Sequence, residues 1–331
     1  ATLAQAAAPT GNESAPLPFS IRAEGRVTVN GNSDFDGDPL LADDDALIYG
    51  GQGFTLNGQP VLPVQRDAAG NPILDDLGRP VLIDNAVAVA ADHGHLNAPN
   101  NQYGGLIPPQ VVETQTVDVP EHDGFVAEVL AAEIPAGVTP IEMYAYGQPL
   151  YNQQVWNENF PAGGTAEVPT VVRITGGWLN IPHGVNLEHL VLIVENGGLN
   201  FNGNGHQLNN VTIVTYGGGM NLSGVVGTDV NILSAAQLQM NSSSTFAGQS
   251  TLAARNSIHF NGQATASVAD DQLTVIAQED IAFNGPSDTR ADFWAGRNFR
   301  FNGNATLYGS INAKGNITFN AQATVFADFD A

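Results

Sequence analysis

The chain has 331 residues, a net charge of −23 with only 10 Lys and Arg residues, 43% hydrophobic residues and no cysteine. This charge disfavours nucleic acid and anionic membrane surfaces as partners and favours cations. The lack of thiols excludes disulfides and thiolate metal sites. No apolar run reaches the roughly 18 residues that a transmembrane helix needs.

Residues 1–18 are rich in Ala, Pro and Ser, and the chain begins Ala1-Thr2-Leu3 rather than with Met. This composition predicts a flexible or subunit-bridging arm. Small, uncharged first residues are typical of a chain released by signal-peptide cleavage, and a trimmed chain is the alternative. Together with the acidic composition, they predict a secreted protein, extracellular or at a cell surface.

A short pattern recurs along the chain: an apolar residue, a variable residue, a second apolar residue and then usually Asn. Two upstream copies end at Val29 and Leu56. In the C-terminal half the second apolar residue recurs every 18 to 23 residues, at Ile181, Phe201, Leu222, Met240, Phe260, Phe283, Phe301 and Phe319. A repeat of this period predicts a solenoid. The N-terminal copies predict coils or strands of the same kind.

An acidic loop separates the two upstream copies. Its oxygen-bearing side chains have the spacing of a calcium loop, with Gly37 in the turn: Asn32, Asp34, Asp36, Asp38 and Asp43. Calcium takes six to eight oxygen ligands, and alternating carboxylates around a Gly turn can supply them. The flanks do not have a helical pattern, so an ordinary EF-hand is not expected. A calcium-binding loop and a solvated acidic turn both remain open.

The rest of the β-rich region 19–110 contains three copies of Gly-x-Pro-apolar-Leu, beginning at Gly58, Gly70 and Gly78. Two of them follow Asp-x-x-Gly, at Asp67 and Asp75, which is typical of a type I turn with a bulge between hairpin strands. The regular prolines indicate edge strands. The segment therefore predicts a β-ribbon, either a simple decoration or a contact arm for a neighbouring subunit.

Residues 111–169 are predicted to connect to the array or cap it. Residues 123–134 have the pattern of a short helix, with Asp123 as its N-cap and Pro135 near its end. We expect this helix to cover the first coil of the array. The aromatic residues that follow can stack on sugar rings or pack beneath their own loop: Tyr144, Tyr146, Tyr151, Trp156 and Phe160.

Residues 170–331 are predicted to form a parallel β-helix of about 18–23 residues per coil. The last full repeat divides into three short strand patterns separated by turns, and alternation along each strand sends apolar side chains inward. Because the period varies, we expect the right-handed form. The overall fold class is therefore all-β, a parallel β-helix with an N-terminal β-rich extension.

The Asn that ends each repeat suits a corner, because Asn tolerates the left-handed backbone region. Stacked coils also allow the amides to hydrogen-bond along the column as a ladder. This ladder is predicted at Asn202, Asn241, Asn261, Asn284, Asn302 and Asn320. The alternative is that each Asn makes only its own corner.

With these repeats defined, residues 170–331 resemble the β-helical repeats of bactofilin-type, polymer-forming bacterial proteins. They also resemble the secreted β-helical domain of PilX-like pilus-assembly proteins. The stretch from Phe301 to Asn320, FNGNATLYGSINAKGNITFN, carries the resemblance. It implies a β-helix whose coils stack into polymers.

No catalytic residues are predicted. Nucleophile motifs, nucleotide loops and zinc helices are absent from the sequence. The only acidic patch in the array comprises Asp270, Asp271, Glu279, Asp280, Asp288 and Asp292, which solvated loop acids explain. An ice-binding surface needs regular Thr ladders, and Thr212, Thr265, Thr274, Thr306, Thr318 and Thr324 are not expected to share one phase.

The C-terminal coil has no capping helix in the sequence, and an open coil exposes unpaired backbone groups. The predicted assembly edge comprises Phe319, Val325, Phe326 and Phe329. We therefore expect a structural protein that self-assembles head to tail, by coil stacking or strand exchange, into an extracellular filament or surface matrix. The alternative is a carbohydrate-binding or carbohydrate-active surface protein with polysaccharide as its partner.

Overall fold

The computed structural model describes residues 19–36, 46–84, 86–90, 96–97, 110–145, 160–266 and 272–326. The predicted all-β parallel solenoid is confirmed, while its right-handed sense stays a prediction. Two units are distinguished: a central unit, which contains Pro120–Arg290, and a terminal unit, which combines Thr10–Val119 with Ala291–Ala331. No helix in the described ranges is long and apolar enough to cross a membrane.

Short strands in the N-terminal region form coils of the terminal unit. They are β1 (Ile21–Ala23), β2 (Val27–Val29), β3 (Ile48–Gly50), β4 (Phe54–Leu56), β5 (Val87–Ala90), β6 (Leu96–Asn97) and β7 (Gln110–Val112). Strands β1, β3, β5 and β7 pair in parallel in that order, and β2, β4 and β6 form a second parallel row. The predicted extension is therefore part of a solenoid.

The ribbon at residues 61–84 has the predicted hairpins. Antiparallel bridges join Val64 to Leu82, Arg66 to Pro72 and Leu74 to Pro80. The Asp67 carboxylate accepts hydrogen bonds from the backbone N–H groups of Ala69 and Asn71, each 2.9 Å long. Gly70 closes the turn at φ +80°, a conformation that glycine adopts without strain.

The predicted helix is α1 (His122–Glu133), and β8 (Ile141–Tyr144) follows it. Its N-cap is Glu121, not Asp123 as expected, because the Glu121 carboxylate accepts the N–H groups of Asp123 and Gly124. Leu130 and Ile134 pack on Val171 and other buried residues of the array's flank. The helix was predicted to cover the end of the first coil, and this is wrong. It packs instead on the side of the array, against the outward-facing side chains of β9 and β11.

The remaining strands alternate between long and short. They are β9 (Thr170–Thr175), β10 (Leu179–Ile181), β11 (Asn186–Val194), β12 (Leu199–Phe201), β13 (His206–Thr215), β14 (Met220–Leu222), β15 (Val225–Ser234), β16 (Leu238–Met240), β17 (Ser244–Ala247), β18 (Gln249–Ala254), β19 (Ile258–Phe260), β20 (Ala264–Ala266), β21 (Gln272–Ala277), β22 (Ile281–Phe283), β23 (Ser287–Ala295), β24 (Phe299–Phe301), β25 (Ala305–Tyr308), β26 (Ile311–Ala313), β27 (Ile317–Phe319) and β28 (Ala323–Phe326).

Each coil of the central unit has three faces. In β13, residues 206–209 lie on face A and residues 211–215 on face B, while β14 lies on face C. The bend between faces A and B falls at a left-handed residue, at φ +47° for His189, +51° for Asn210 and +53° for Asp229. In the next coil this position is occupied by Gly248, which adopts φ +63° between β17 and β18. The bend is therefore kept although the residue there has no side chain.

Inward-facing side chains stack from coil to coil to form the core. On face C the outer residues of each three-residue strand are buried and the middle one faces outward, as in Ile258-His259-Phe260. The rings of Phe260 and Phe283 stack with centroids 4.2 Å apart. Burying one such ring contributes roughly 1.5–3 kcal/mol, so the repeated apolar pair explains why every coil adds to the column.

The expectation that the six threonines do not share one phase is confirmed, because Thr265 lies in a row with Thr245 on face A and Thr318 lies on β27. The strand register aligns Thr212 and Thr274 in one outward row of face B, with Asn231 and Thr251 between them. Thr212 and Asn231 are buried, and the Asn231 amide donates to the Thr212 hydroxyl over 3.1 Å.

Candidate functional site: the junction of the chain ends

The two ends of the chain meet in the terminal unit. Strand β27 pairs in parallel with β24 on one side and with β2 on the other, which places Phe301, Phe319 and Val29 in one register. Strand β26 likewise pairs with β1, matching Ile311 with Ile21. The coil that follows the last C-terminal coil is therefore built from N-terminal residues. We call the contact between β26–β28 and residues 20–35 the junction.

Backbone hydrogen bonds run through the junction as they do within the array. The Phe319 carbonyl accepts the Asn30 N–H at 2.7 Å, and the Ala313 carbonyl accepts the Glu24 N–H at 3.0 Å. Val325 N–H donates to the Asp34 carbonyl at 2.9 Å. The prediction of an open edge is therefore wrong within this chain, because its own N-terminal segment satisfies the backbone groups.

Aromatic packing continues across the same boundary. Phe319 is fully buried, and its ring centroid lies 5.7 Å from that of Phe301 and 5.4 Å from that of Phe35. Val325 is also fully buried. Phe326 is partly exposed and stacks on Tyr308 at 4.9 Å, while Phe329 lies outside the described residues. Of the proposed edge residues, Phe319 and Val325 thus belong to a closed core contact rather than to an exposed surface.

Two glycines set how closely the N-terminal segment approaches. A Cβ at Gly31 would lie 2.3 Å from the Ala321 carbonyl oxygen, and one at Gly25 would lie 2.6 Å from the Gly315 carbonyl oxygen. Both distances are far below van der Waals contact, and the obstructing atoms are backbone. The junction therefore requires glycine at these two positions.

The asparagine column is joined by side-chain amide bonds. In the central unit, Asn261 donates to Asn241 at 3.0 Å and Asn284 donates to Asn261 at 2.9 Å. In the terminal unit, four residues join through bonds of 2.8 Å each: Asn302, Asn320, Asn30 and Asn57. Asn30 and Asn57 were missing from the predicted set, although each follows an upstream repeat. At Asn202 the described contact is a backbone one, in which its N–H donates to the Ile181 carbonyl of the preceding coil.

The described residues of the acidic loop have protein partners. Asn32 accepts the Gln59 N–H at 3.1 Å, and Asp36 accepts the Val64 N–H at 3.1 Å and forms an ion pair with Arg66. Burial raises the pKa of Asp34, the largest influence on that carboxyl. Asp38 and Asp43 lie outside the described residues. Among described residues, no group of three His, Asp or Glu side chains is arranged around one metal position.

Two acids of the acidic patch have described hydrogen-bond partners. Glu279 accepts a hydrogen bond from the Ser257 hydroxyl at 3.3 Å in the central unit. In the terminal unit, Asp292 accepts the Ser310 hydroxyl at 2.6 Å. Asp270 and Asp271 lie outside the described residues. Glu279 and Asp292 therefore each join neighbouring coils through a serine hydroxyl.

A buried histidine in the central unit escaped sequence reasoning. His206 is fully buried, and neither ring nitrogen has a hydrogen-bond partner of acceptable geometry. Its ring lies edge-on to Phe201, with centroids 5.0 Å apart. Burial lowers the pKa of His206, outweighing the nearby backbone of Asn202 and Gly203. The signal that identifies His206 as a core residue is the strand register, which pairs it with the inward-facing Val225 of the next coil.

Comparison with protein-family models, with curated proteins and with solved structures finds no match to this chain.

Proposed function

We propose that this protein is a secreted structural protein that self-assembles by exchanging its N-terminal coils between molecules. The observation that carries the proposal is the junction. One coil combines β28 with β1 and β2, which belong to opposite ends of the chain. A contact between two separate segments is the same whether the segments come from one molecule or from two, and such exchange is a low-cost route to assembly.

Exchange in one direction gives a head-to-tail polymer. Each molecule then covers the C-terminal coil of one neighbour with its residues 20–35 and offers its own C-terminal coil to the next. The buried contact at Phe319 and the bonds to Asn30 are the same in the closed and the exchanged form. The two forms therefore differ at each junction mainly by the translational entropy that is lost on association. The balance between closed and exchanged forms therefore depends on protein concentration.

Calcium and the extracellular location belong to the same proposal. The high negative charge opposes close approach of molecules, and divalent cations screen that repulsion. The acidic loop beside the junction is the proposed place for a calcium ion. The exchange itself does not require the ion.

A cysteine pair tests the proposal, since the chain has no cysteine of its own. Asn30 and Asn320 bond across the junction on adjacent coils, about 4.8 Å apart, which is within the range of a disulfide. N30C/N320C, oxidised as a dilute monomer, is locked in the closed form. We expect it to stay monomeric in sedimentation when concentrated and to form filaments in electron micrographs after reduction.

The matched control is N302C/N320C, whose two positions also bond along the ladder but belong to one continuous segment. Its disulfide leaves the N-terminal coils free, so oxidised N302C/N320C should assemble like the unmodified chain. The proposal fails if the unmodified protein stays monomeric at high concentration with calcium present. It also fails if the locked N30C/N320C protein assembles as well as the control.

A further inference from the structure

One corner of the central unit carries three solvent-exposed aromatic side chains. Tyr144 is 55% exposed, Trp178 is 50% exposed and Tyr216 is 44% exposed. They lie where face B turns toward face C. Tyr144 ends β8, Trp178 follows β9 on the next coil, and Tyr216 follows β13, two coils beyond Trp178. We call these three residues the aromatic corner.

Glycines hold two of these rings against the backbone. A Cβ at Gly176 would lie 2.5 Å from the Tyr144 ring, and one at Gly198 would lie 2.5 Å from the Trp178 indole. Each ring therefore leans over the glycine of the next coil and occupies the space of a missing side chain. This arrangement fixes the rings in place, yet leaves about half of each side chain open to water.

Charged groups flank the aromatic corner on face B. The Arg173 guanidinium lies between two carboxylates, 3.4 Å from Glu142 and 3.2 Å from Glu195. Arg173 is 40% exposed and Glu142 is 60% exposed. Burial raises the pKa of the Tyr216 hydroxyl, and the charge of Glu195 raises it further, so this hydroxyl is a neutral hydrogen-bond donor at physiological pH.

A second amide ladder flanks the corner on face C. Asn200 donates to Asn180 at 3.0 Å, and Asn221 donates to Asn200 at 2.7 Å. These residues occupy the outward middle position of successive strands, and Asn180 follows Trp178 by two residues. The amides repeat at the coil spacing of about 4.8 Å, next to the exposed rings.

We propose that the aromatic corner binds a neutral carbohydrate chain. A sugar ring presents C–H groups on its face, which suit the negative face of an aromatic ring, and hydroxyls around its edge, which suit amides, carboxylates and guanidinium. Rings spread along four coils match a polymer better than a single small molecule. Two carboxylates around one guanidinium, in a chain of net charge −23, disfavour an acidic polysaccharide.

The test measures retardation in native gels that contain a neutral polysaccharide: xyloglucan, galactomannan, hydroxyethylcellulose or dextran, with alginate as the acidic comparison. The oxidised N30C/N320C monomer is used, so that self-assembly does not affect mobility. We expect at least one neutral polymer to retard the protein and alginate not to do so. Trp178→Ala and Tyr144→Ala should each weaken binding at least tenfold, while Trp178→Phe, which keeps a ring, should stay within about threefold.

The matched control is Tyr308→Ala, which removes a tyrosine that is 38% exposed in the terminal unit and should leave binding unchanged. The thermal transition of each variant shows whether it is folded. The proposal is overturned if no neutral polymer retards the protein, or if Trp178→Ala binds as well as Tyr308→Ala. It is also overturned if Trp178→Ala alters only self-association in the reduced protein, since the corner would then be a contact between copies.

Discussion

The contact between Phe35 and Phe319 allows the junction to be measured as a coupling energy. Phe35 belongs to the N-terminal segment and Phe319 to the C-terminal coil, and both are fully buried with ring centroids 5.4 Å apart at an interplanar angle of 76°. Removing a buried Phe side chain costs about 3–5 kcal/mol. An edge-to-face pair adds about 0.5–1.5 kcal/mol beyond the area that it buries.

We expect F319A and F35A each to lower the free energy of unfolding by about 3–5 kcal/mol. The double variant should lose less than the sum of the two, by at least about 0.5 kcal/mol, because the second substitution removes a contact that is already absent. Urea denaturation followed by circular dichroism gives the four free energies of the cycle.

The control cycle pairs F35A with F19A. Phe19 packs in a separate cluster of the terminal unit with Tyr49 and Ala88, so these two substitutions should be additive within about 0.5 kcal/mol. Additivity of F35A and F319A to the same limit would refute the reasoning, because it would mean that the two rings do not share a core in the folded protein.

Three further outcomes follow from the described contacts. Gly31→Ala should destabilise the protein by more than about 2 kcal/mol in urea denaturation, since its Cβ meets the Ala321 carbonyl; a loss below about 0.5 kcal/mol would contradict the close approach. The lowered pKa of buried His206 means that, as pH falls below about 6.5, the unfolded chain takes up a proton first and stability declines. His206→Leu should flatten this part of a thermal-shift profile, and an unchanged slope would count against a neutral core histidine. The raised pKa of Asp34 means that its buried charge costs stability above that pKa but not in acid. Asp34→Asn should therefore stabilise the protein more at pH 7 than at pH 3.5, and the reverse order would contradict the burial.

The period and the alternation of apolar residues predicted the solenoid and its strands, because the core requires one inward pair in each short strand. Ile317-Thr318-Phe319 illustrates this requirement, with its outer residues buried and its middle one facing outward. The same pattern at Val27-Thr28-Val29 predicted a further coil. That this coil lies beside Phe319 of the same chain was not predictable, since the strand pattern specifies the shape of a coil but not whether its neighbour in the stack belongs to the same molecule.

The sequence also did not predict which outward-facing side chains on the sides of the array are covered by other segments. Val191 and Leu192 belong to one apolar run, but Val191 faces the helix and Leu192 faces the core of the array. The outward side chain depends on a helix that is distant in sequence, so no local pattern identifies its partner. Trp178 was likewise overlooked, because its environment is formed by Gly198 of the next coil.

The most direct test of coil exchange uses two single-cysteine proteins, N30C labelled with heavy isotopes and N320C unlabelled, which are unfolded, mixed, refolded together at high concentration and oxidised. If N-terminal coils pass between molecules, mass spectrometry will find disulfides that join a heavy peptide containing position 30 to a light peptide containing position 320. If only closed molecules form, these two cysteines never meet in the ladder. Heavy–light disulfides no more frequent than in a mixture of separately refolded proteins would contradict the account.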